Sequence, residues 1–554
     1  MLVLTRRSSA GAVARRWRPL VACCLALLVG VAPSTYAEHI VGAAAAPSGA
    51  RCRLFVLAAA DSTRFVLAER GADAEADAVT LQDSFAPAVA ALSATPLEDA
   101  YARLRPAFLQ AQELLLSRPR PLQLEPRHCH AHVLAMHTAA RSPAEAAHLD
   151  ALFARVHEES IEDAQFPFLL AKDDLRTVSA DRQSYFLFVG ANFRSGRVPP
   201  SLSPGKEELL GVLSFDDHAA HMAFDVLERW RRSKRQKHQA LNTTDLFIRE
   251  YAGHGRAAVR AATTQQLSAE GDEEDDAVRH PCFLQDFAQA EIRGAGDARA
   301  CVSALQALVD RSNAACPEDN FCALDGAAQP RPVGRFYGAG LFRSVVAFAR
   351  VALEALAATD VTVDASALAT PTPTLGALRV AAARVCALPF AQAQRLPIVY
   401  PGQSEHACLD ACYAVVLLGA FGVADDDERV HFALPSENAV AAAADNDDES
   451  TWLIGAFQYL EAIQQRKAFA IEAELLAVQV DEGLPIGFHL SLVLFVAALG
   501  VVLASTGDLL RRAGGGGGNG GAYQRVVAAA AGGKAKQREP RSPHAILFVD
   551  DASE

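Results

Sequence analysis

Alternation and period divide the chain into strands and helices from residue 53 onward. Arg53 to Leu67 (RLFVLAAADSTRFVL) alternates on both sides of Asp61-Ser62 and predicts two strands around a turn. Leu97 to Leu116 places Leu104, Ala107, Phe108, Ala111 and Leu115 on one stripe and predicts a helix. His130 to Met136 reads as a short strand. Arg141 to His157 reads as a helix, with Ser142 at the cap, Pro143 in the first turn and Glu145 three residues after the cap. The apolar run Ser184 to Val189 reads as a strand. So do Glu208 to Phe215 and His221 to Val226, with the Gly/Pro-rich stretch from Gly196 to Gly205 between. Val302 to Asp310, Leu341 to Thr359, Ala377 to Cys386, Leu409 to Phe421 and Trp452 to Lys467 have helical period. Strands and helices are interspersed, so the predicted class is α/β.

Two hydrophobic stretches stand outside this alternation. Ile486 to Ser505 contains no charged residue apart from one His, and twenty residues at ~1.5 Å each reach across ~30 Å of hydrocarbon. It predicts a C-terminal transmembrane helix. Arg511, Arg512, Lys534, Lys536, Arg538 and Arg541 follow it and predict a cytosolic C-terminus. Near the start, five Arg precede the short run Leu20 to Ala32, and Thr35-Tyr36-Ala37 offers a cleavage site, the layout of a signal peptide over 1–37; an uncleaved anchor is the rival reading. Together these predict a membrane-integrated protein with its bulk facing the Golgi lumen or the cell exterior, and a Gly-rich basic tail over 506–554.

Net charge of −13 argues against nucleic acid as the main partner. Eleven Cys are present; two fall in the N-terminal segment, and nine in an oxidising compartment predict disulfides with at least one thiol left over. Cys316 and Cys322 are close enough for a local hairpin bridge. Asn242-Thr243-Thr244 is a glycosylation sequon. Asp216, Asp217, His218 and His221, with Asp61 and Asp181, are a ligand-rich set; a polar surface turn is the commoner explanation. The alternating His of His128-Cys129-His130 and His132 has the same two readings.

The second half carries a specific order: Leu246 to Ala262, His280-Pro281-Cys282-Phe283, Cys301, Cys316, Cys322, Gly334 to Gly338, Cys386-Ala387-Leu388-Pro389, Cys408 to Tyr413, and Trp452 to Gly455. This order resembles the apyrase family, the nucleoside triphosphate diphosphohydrolases that include ecto-apyrases and Golgi nucleoside diphosphatases. The resemblance covers roughly residues 50 to 507. It implies two actin-like (RNase H-like) lobes with a central cleft, lobe I from 48–174 plus 445–478 and lobe II from 175–444. It also implies a Ca or Mg cation, a nucleoside di- or triphosphate as ligand, and hydrolysis by a Glu-activated water. The pairings it implies are Cys282 with Cys301 and Cys386 with Cys408; Cys52, Cys129 and Cys412 stay open.

Carried over residue by residue, the resemblance is degraded. The first phosphate loop reads Ala58-Ala59-Ala60-Asp61-Ser62-Thr63, with Ala58 for the family's Asp and Ala60 for its Gly. The second segment keeps only its closing Arg141. Gln183 stands at the position of the general base, and an amide takes no proton from water at neutral pH. Ser184 stands where a Gly follows. In the fourth segment Ser214 replaces an Asp, while Asp216 and Asp217, ahead of His218, replace two glycines. Two carboxylates there repel a polyphosphate. Tyr413 falls at one base-stacking position and Arg343 near the other. The expectation is a membrane-anchored family member with little or no hydrolysis; its alternatives are a pseudoapyrase that binds nucleotide or protein, and an adhesion or receptor ectodomain outside the family.

Overall fold

The computed structural model describes residues 51–465, except 71–78, 84, 87, 119–124, 140–141, 203–207, 227–245, 271–277, 290–291, 359, 361, 399–403 and 435–449. The expected signal peptide, membrane span, basic tail, Arg141 and Asn242 all lie outside the described residues.

The first sheet contains β1 (Arg51–Ala58), β2 (Ser62–Arg70), β3 (Val79–Gln82), β4 (Val89–Ala90), β5 (His130–Met136) and β6 (Leu175–Val178), in the order β3-β2-β1-β5-β6 with β4 on β2. The second contains β7 (Gly211–Phe215), β8 (Ala219–Asp225), β9 (Leu246–Ala252), β13 (Phe336–Gly340) and β14 (Val430–His431), in the order β14-β13-β7-β8-β9. Between them in sequence, β10 (Val278–His280), β11 (Ala288–Gln289) and β12 (Ile292–Gly294) make a small third sheet. The two large sheets repeat one topology. In each, an antiparallel pair opens the sheet, a third antiparallel strand extends it, and two parallel strands complete the other edge.

Helices cover these sheets: α1 (Ala100–Leu116), α2 (Pro143–Glu162), α3 (Ala180–Arg194), α4 (Arg256–Glu270), α5 (Ala298–Ser312), α6 (Leu341–Ala357), α7 (Leu375–Cys386), α8 (Ala407–Ala420) and α9 (450–465). β1 is buried on both faces, which is why it reads as a nearly continuous apolar run. Leu54, Val56 and Ala58 pack with α1 and α2, while Phe55 and Leu57 pack toward α3 and α9. The α2 cap is as the sequence predicts: Ser142 Oγ accepts from Glu145 N at 3.2 Å.

Two expectations are corrected. Ser184–Val189 is not a strand but the middle of α3, capped by Ser179, whose hydroxyl accepts from Arg182 N. The run is apolar all round because α3 is packed on several sides, and periodicity cannot separate that case from a buried strand. The membrane-anchored architecture is corrected to a mixed α/β fold. No helix among the described residues is long and apolar enough to cross a membrane. Membrane integration, and the lumenal or exterior placement inferred from it, therefore have no support among those residues.

The three expected disulfides, Cys282–Cys301, Cys316–Cys322 and Cys386–Cys408, are formed. Cys52 pairs with Cys129, and Cys412 is a buried free thiol. Helices α3 and α9 touch backbone to backbone. A Cβ on Gly190 would lie 1.9 Å from the Thr451 carbonyl oxygen, and one on Gly455 would lie 1.8 Å from that of Phe186.

Candidate functional site

The repeated topology brings two equivalent hairpin turns to one place. β1 and β2 pair up to Ala58 opposite Thr63, and β7 and β8 pair up to Phe215 opposite Ala220. Ala59 N donates to Ser62 O at 2.8 Å, and Asp216 N donates to Ala219 O at 3.0 Å. Ala59 and Arg64 from the first hairpin face Ser214, Asp216 and His218 from the second across a cavity of about 340 Å³. Gln183, Ser184 and Leu187 of α3, His137 after β5, and Trp452 of α9 complete its wall.

The sequence-derived positions separate into two groups. Gln183, Ser214, Asp216, Asp217 and His218 line this cavity. Ala58 and Thr63 are buried in the strand pair, with Thr63 Oγ1 donating to Ala90 O at 3.3 Å. Ala60 and Asp61 sit on the first turn, where Ser62 Oγ donates to Asp61 Oδ1 at 3.1 Å. Tyr413 lies in the core behind the site; its hydroxyl donates to His254 O at 2.8 Å and its ring meets Phe215 edge-on. Arg343 is also buried, donating to Tyr337 Oη at 3.2 Å. Neither of these two lines the cavity.

Charge in the site is organised around two neighbouring histidines, His137 and His221, whose rings meet edge-on with centroids 6.3 Å apart. His137 Nδ1 lies 3.1 Å from Gln183 Oε1, and His137 Nε2 lies 3.4 Å from Glu250 Oε1 on β9. The Glu250 carboxylate raises the His137 pKa above its ordinary value, and His137 in turn lowers that of Glu250. His221 Nε2 lies 3.4 Å from Asp216 Oδ2, and His221 Nδ1 lies 3.5 Å from Ser184 Oγ. Asp216 Oδ1 accepts from His218 N at 2.7 Å and Ala219 N at 2.9 Å. Burial pushes the Asp216 carboxyl up, but His221 and these two amides outweigh it and hold it at about 2.

The second turn is also tied to the helix behind it. Arg256 N and Ala257 N, orphan donors at the start of α4, donate to the carbonyls of Asp216 and Asp217. The Arg256 side chain bridges Asp217 at 2.6 Å and the buried Asp410 at 3.3 Å. Glu250, Arg256 and Asp410 were not read as site residues from the sequence. The Trp452 indole Nε1 is buried without a hydrogen-bond partner.

The residues present do not fit a water-bridged divalent cation. Ala58 is buried in the strand pair and offers no oxygen, Ser214 offers only a hydroxyl, and Asp216 already holds two turn amides and His221. Among the described residues the one cluster of metal-ligating type is Cys301, Cys408 and Cys412, two of which are in disulfides.

No family model and no curated protein matches the chain. Solved structures similar to it include a nucleoside triphosphate hydrolase from Neospora caninum, at 13% identity over 74% of this chain and 95% of that one, with a TM-score of 0.44. The type II Ppx/GppA phosphatase of Aquifex aeolicus matches at 11% identity over 69% and 97%, with a TM-score of 0.35. An exopolyphosphatase from Cytophaga hutchinsonii matches at 10% identity over 67% and 89%, with a TM-score of 0.29. The likeness is distant in every case, under 25% identity and under a TM-score of 0.5. No chemistry carries over at these values.

Proposed function

We propose that this chain is a divergent relative of the apyrases whose cleft binds a small, partly apolar molecule and does not hydrolyse nucleoside polyphosphates. The kinship is supported by the order of the sequence landmarks, by the two disulfides that the resemblance implies, Cys282–Cys301 and Cys386–Cys408, and by the repeated sheet topology. The loss of hydrolysis rests on one observation above all. Asp216 is a carboxylate held ionised at the turn where a phosphate chain would rest, and Asp217 stands beside it. Gln183, its oxygen facing His137, adds no proton acceptor for water. The ligand chemistry that remains is an apolar wall of Leu57, Leu187, Phe215 and Trp452.

The test is phosphate release from ATP, ADP, GDP and UDP by the purified full chain with Ca²⁺ or Mg²⁺. Release at the blank level is expected, and Gln183→Glu alone leaves it there. Metal-dependent release by the unaltered chain, abolished by Asp216→Ala, would overturn the reading.

A further inference from the structure

We propose that Ser184, His221 and Asp216 form a nucleophile, base and orienting carboxylate in the cleft, and that the cleft hydrolyses a small carboxylic ester through an acyl-Ser184 intermediate. This rests on the reading of the cleft as a small-molecule site and names its chemistry.

The three side chains come from three places in the chain and meet in one cavity wall. Ser184 is on α3, His221 on β8 and Asp216 on the turn between β7 and β8. Ser184 Oγ is 3.5 Å from His221 Nδ1, and His221 Nε2 is 3.4 Å from Asp216 Oδ2. Both distances exceed an ideal hydrogen bond; such contacts are commonly loose before substrate binds. The contacts fix the tautomer required: Nε2–H toward the carboxylate, and the Nδ1 lone pair toward the hydroxyl. Asp216 cannot swing away, because Oδ1 accepts two amides of its own turn and leaves Oδ2 for the imidazole. Ser184 and His221 are 5% and 6% exposed, so the pair is screened from bulk water yet faces the cavity.

The Ser184 proton passes to His221 Nδ1 as Oγ attacks the ester carbonyl carbon. The tetrahedral adduct expels the alkoxide, which takes that proton and leaves as the alcohol. Water then attacks the acyl-Ser184 carbon and gives a proton to His221. Collapse breaks the bond to Oγ, Ser184 regains its proton, and the carboxylic acid departs. Ester and water become acid and alcohol, with no cofactor or redox partner. The walls of Leu57, Leu187, Phe215 and Trp452 suit a short apolar acyl group, and a neutral ester avoids the repulsion that Asp216 and Asp217 impose on a polyphosphate.

The experiment treats the full chain with a fluorophosphonate probe and locates the adduct by peptide mass mapping. It also follows hydrolysis of p-nitrophenyl acetate and butyrate. One adduct on Ser184 is expected, and Ser184→Ala, which removes a single oxygen, abolishes both labelling and hydrolysis. His221→Gln slows labelling about 100-fold. Asp216→Asn slows it less and moves the acid limb of the pH–rate profile, which loss of a purely structural carboxylate would not do. Mapping in the unaltered chain decides even where a variant fails to fold. An adduct elsewhere, no adduct, or full hydrolysis by a folded Ser184→Ala chain overturns the proposal. Phosphate release is scored separately: absence of both activities removes only the nucleophile, whereas metal-dependent phosphate release removes the reading beneath it.

Discussion

The two hairpin turns share a backbone plan and almost nothing else. Register equates Ala59 with Asp216, Ala60 with Asp217, Asp61 with His218, and Ser62 with Ala219. The first turn carries methyl groups and one exposed carboxylate, which accepts from the hydroxyl of its neighbour Ser62. The second carries two carboxylates and an imidazole on successive positions, linked to β8, to the start of α4 and to the core beneath. A repeated topology thus preserves where a turn lies while its chemistry drifts. Of the two turns, only the second has kept side chains able to act.

The largest test of that asymmetry is removal of Arg256. Its guanidinium is the link from Asp217 to Asp410, a carboxylate with no exposure at all. Arg256→Ala is expected to destabilise the chain by about 3–5 kcal/mol in denaturant unfolding, because it removes a directly bonded cation from a buried anion. Asp61→Ala, on the equivalent first turn, is expected to stay within about 0.5 kcal/mol. Equal costs would mean that both turns are tied to their cores.

A smaller effect comes from Asp216. Its folded pKa of about 2 lies below the ordinary 3.8, so its contribution is full above the ordinary value and falls away as pH drops toward 2. Asp216→Asn should remove that component of acid unfolding. Thermal melts from pH 5 to pH 2 check this, and an unchanged difference between the two chains across that range would refute it.

The smallest effect concerns the pair that joins the two sheets, His137 and Glu250. The His137 pKa is raised, so its contribution is complete below the ordinary 6.5 and is lost as pH rises through the raised value. That of Glu250 is lowered, so its contribution is complete above the ordinary 4.5 and is lost as pH falls through the lowered value. Glu250→Gln should therefore cost below about 1 kcal/mol, most between pH 4.5 and 6.5 and less by pH 8. A melting difference that grows above pH 8 would contradict the pairing.

The hairpins, the Ser142 cap and the second turn's cluster of acids and imidazoles were legible because each is set by a few adjacent residues. α3 was not, since Ser184–Val189 is apolar on every side and its packing partners are distant in sequence. Ser184 therefore appeared in the sequence only as a replaced glycine. Its neighbour His221 is 37 residues away, and the proximity exists only once α3 lies on β8 and β9. Glu250 escaped notice for the same reason. Cys52 and Cys129 are 77 residues apart, and neither order nor local spacing pairs them. The apolar stretch 486–505 was the loudest local signal in the chain, yet it lies outside the described residues.

The contact of Gly190 with α9 and of Gly455 with α3 has a consequence for how the chain can vary. Any side chain at either position would force these two axes apart, and α3 and α9 carry Gln183, Ser184 and Trp452 between them. The back of the cleft thus behaves as one fixed plate, whereas the first hairpin turn tolerates new letters. Selection acting on this molecule is free to rewrite what the plate faces without moving the plate itself, and a library of substitutions should show intolerance at both glycines beside wide latitude at 59–62.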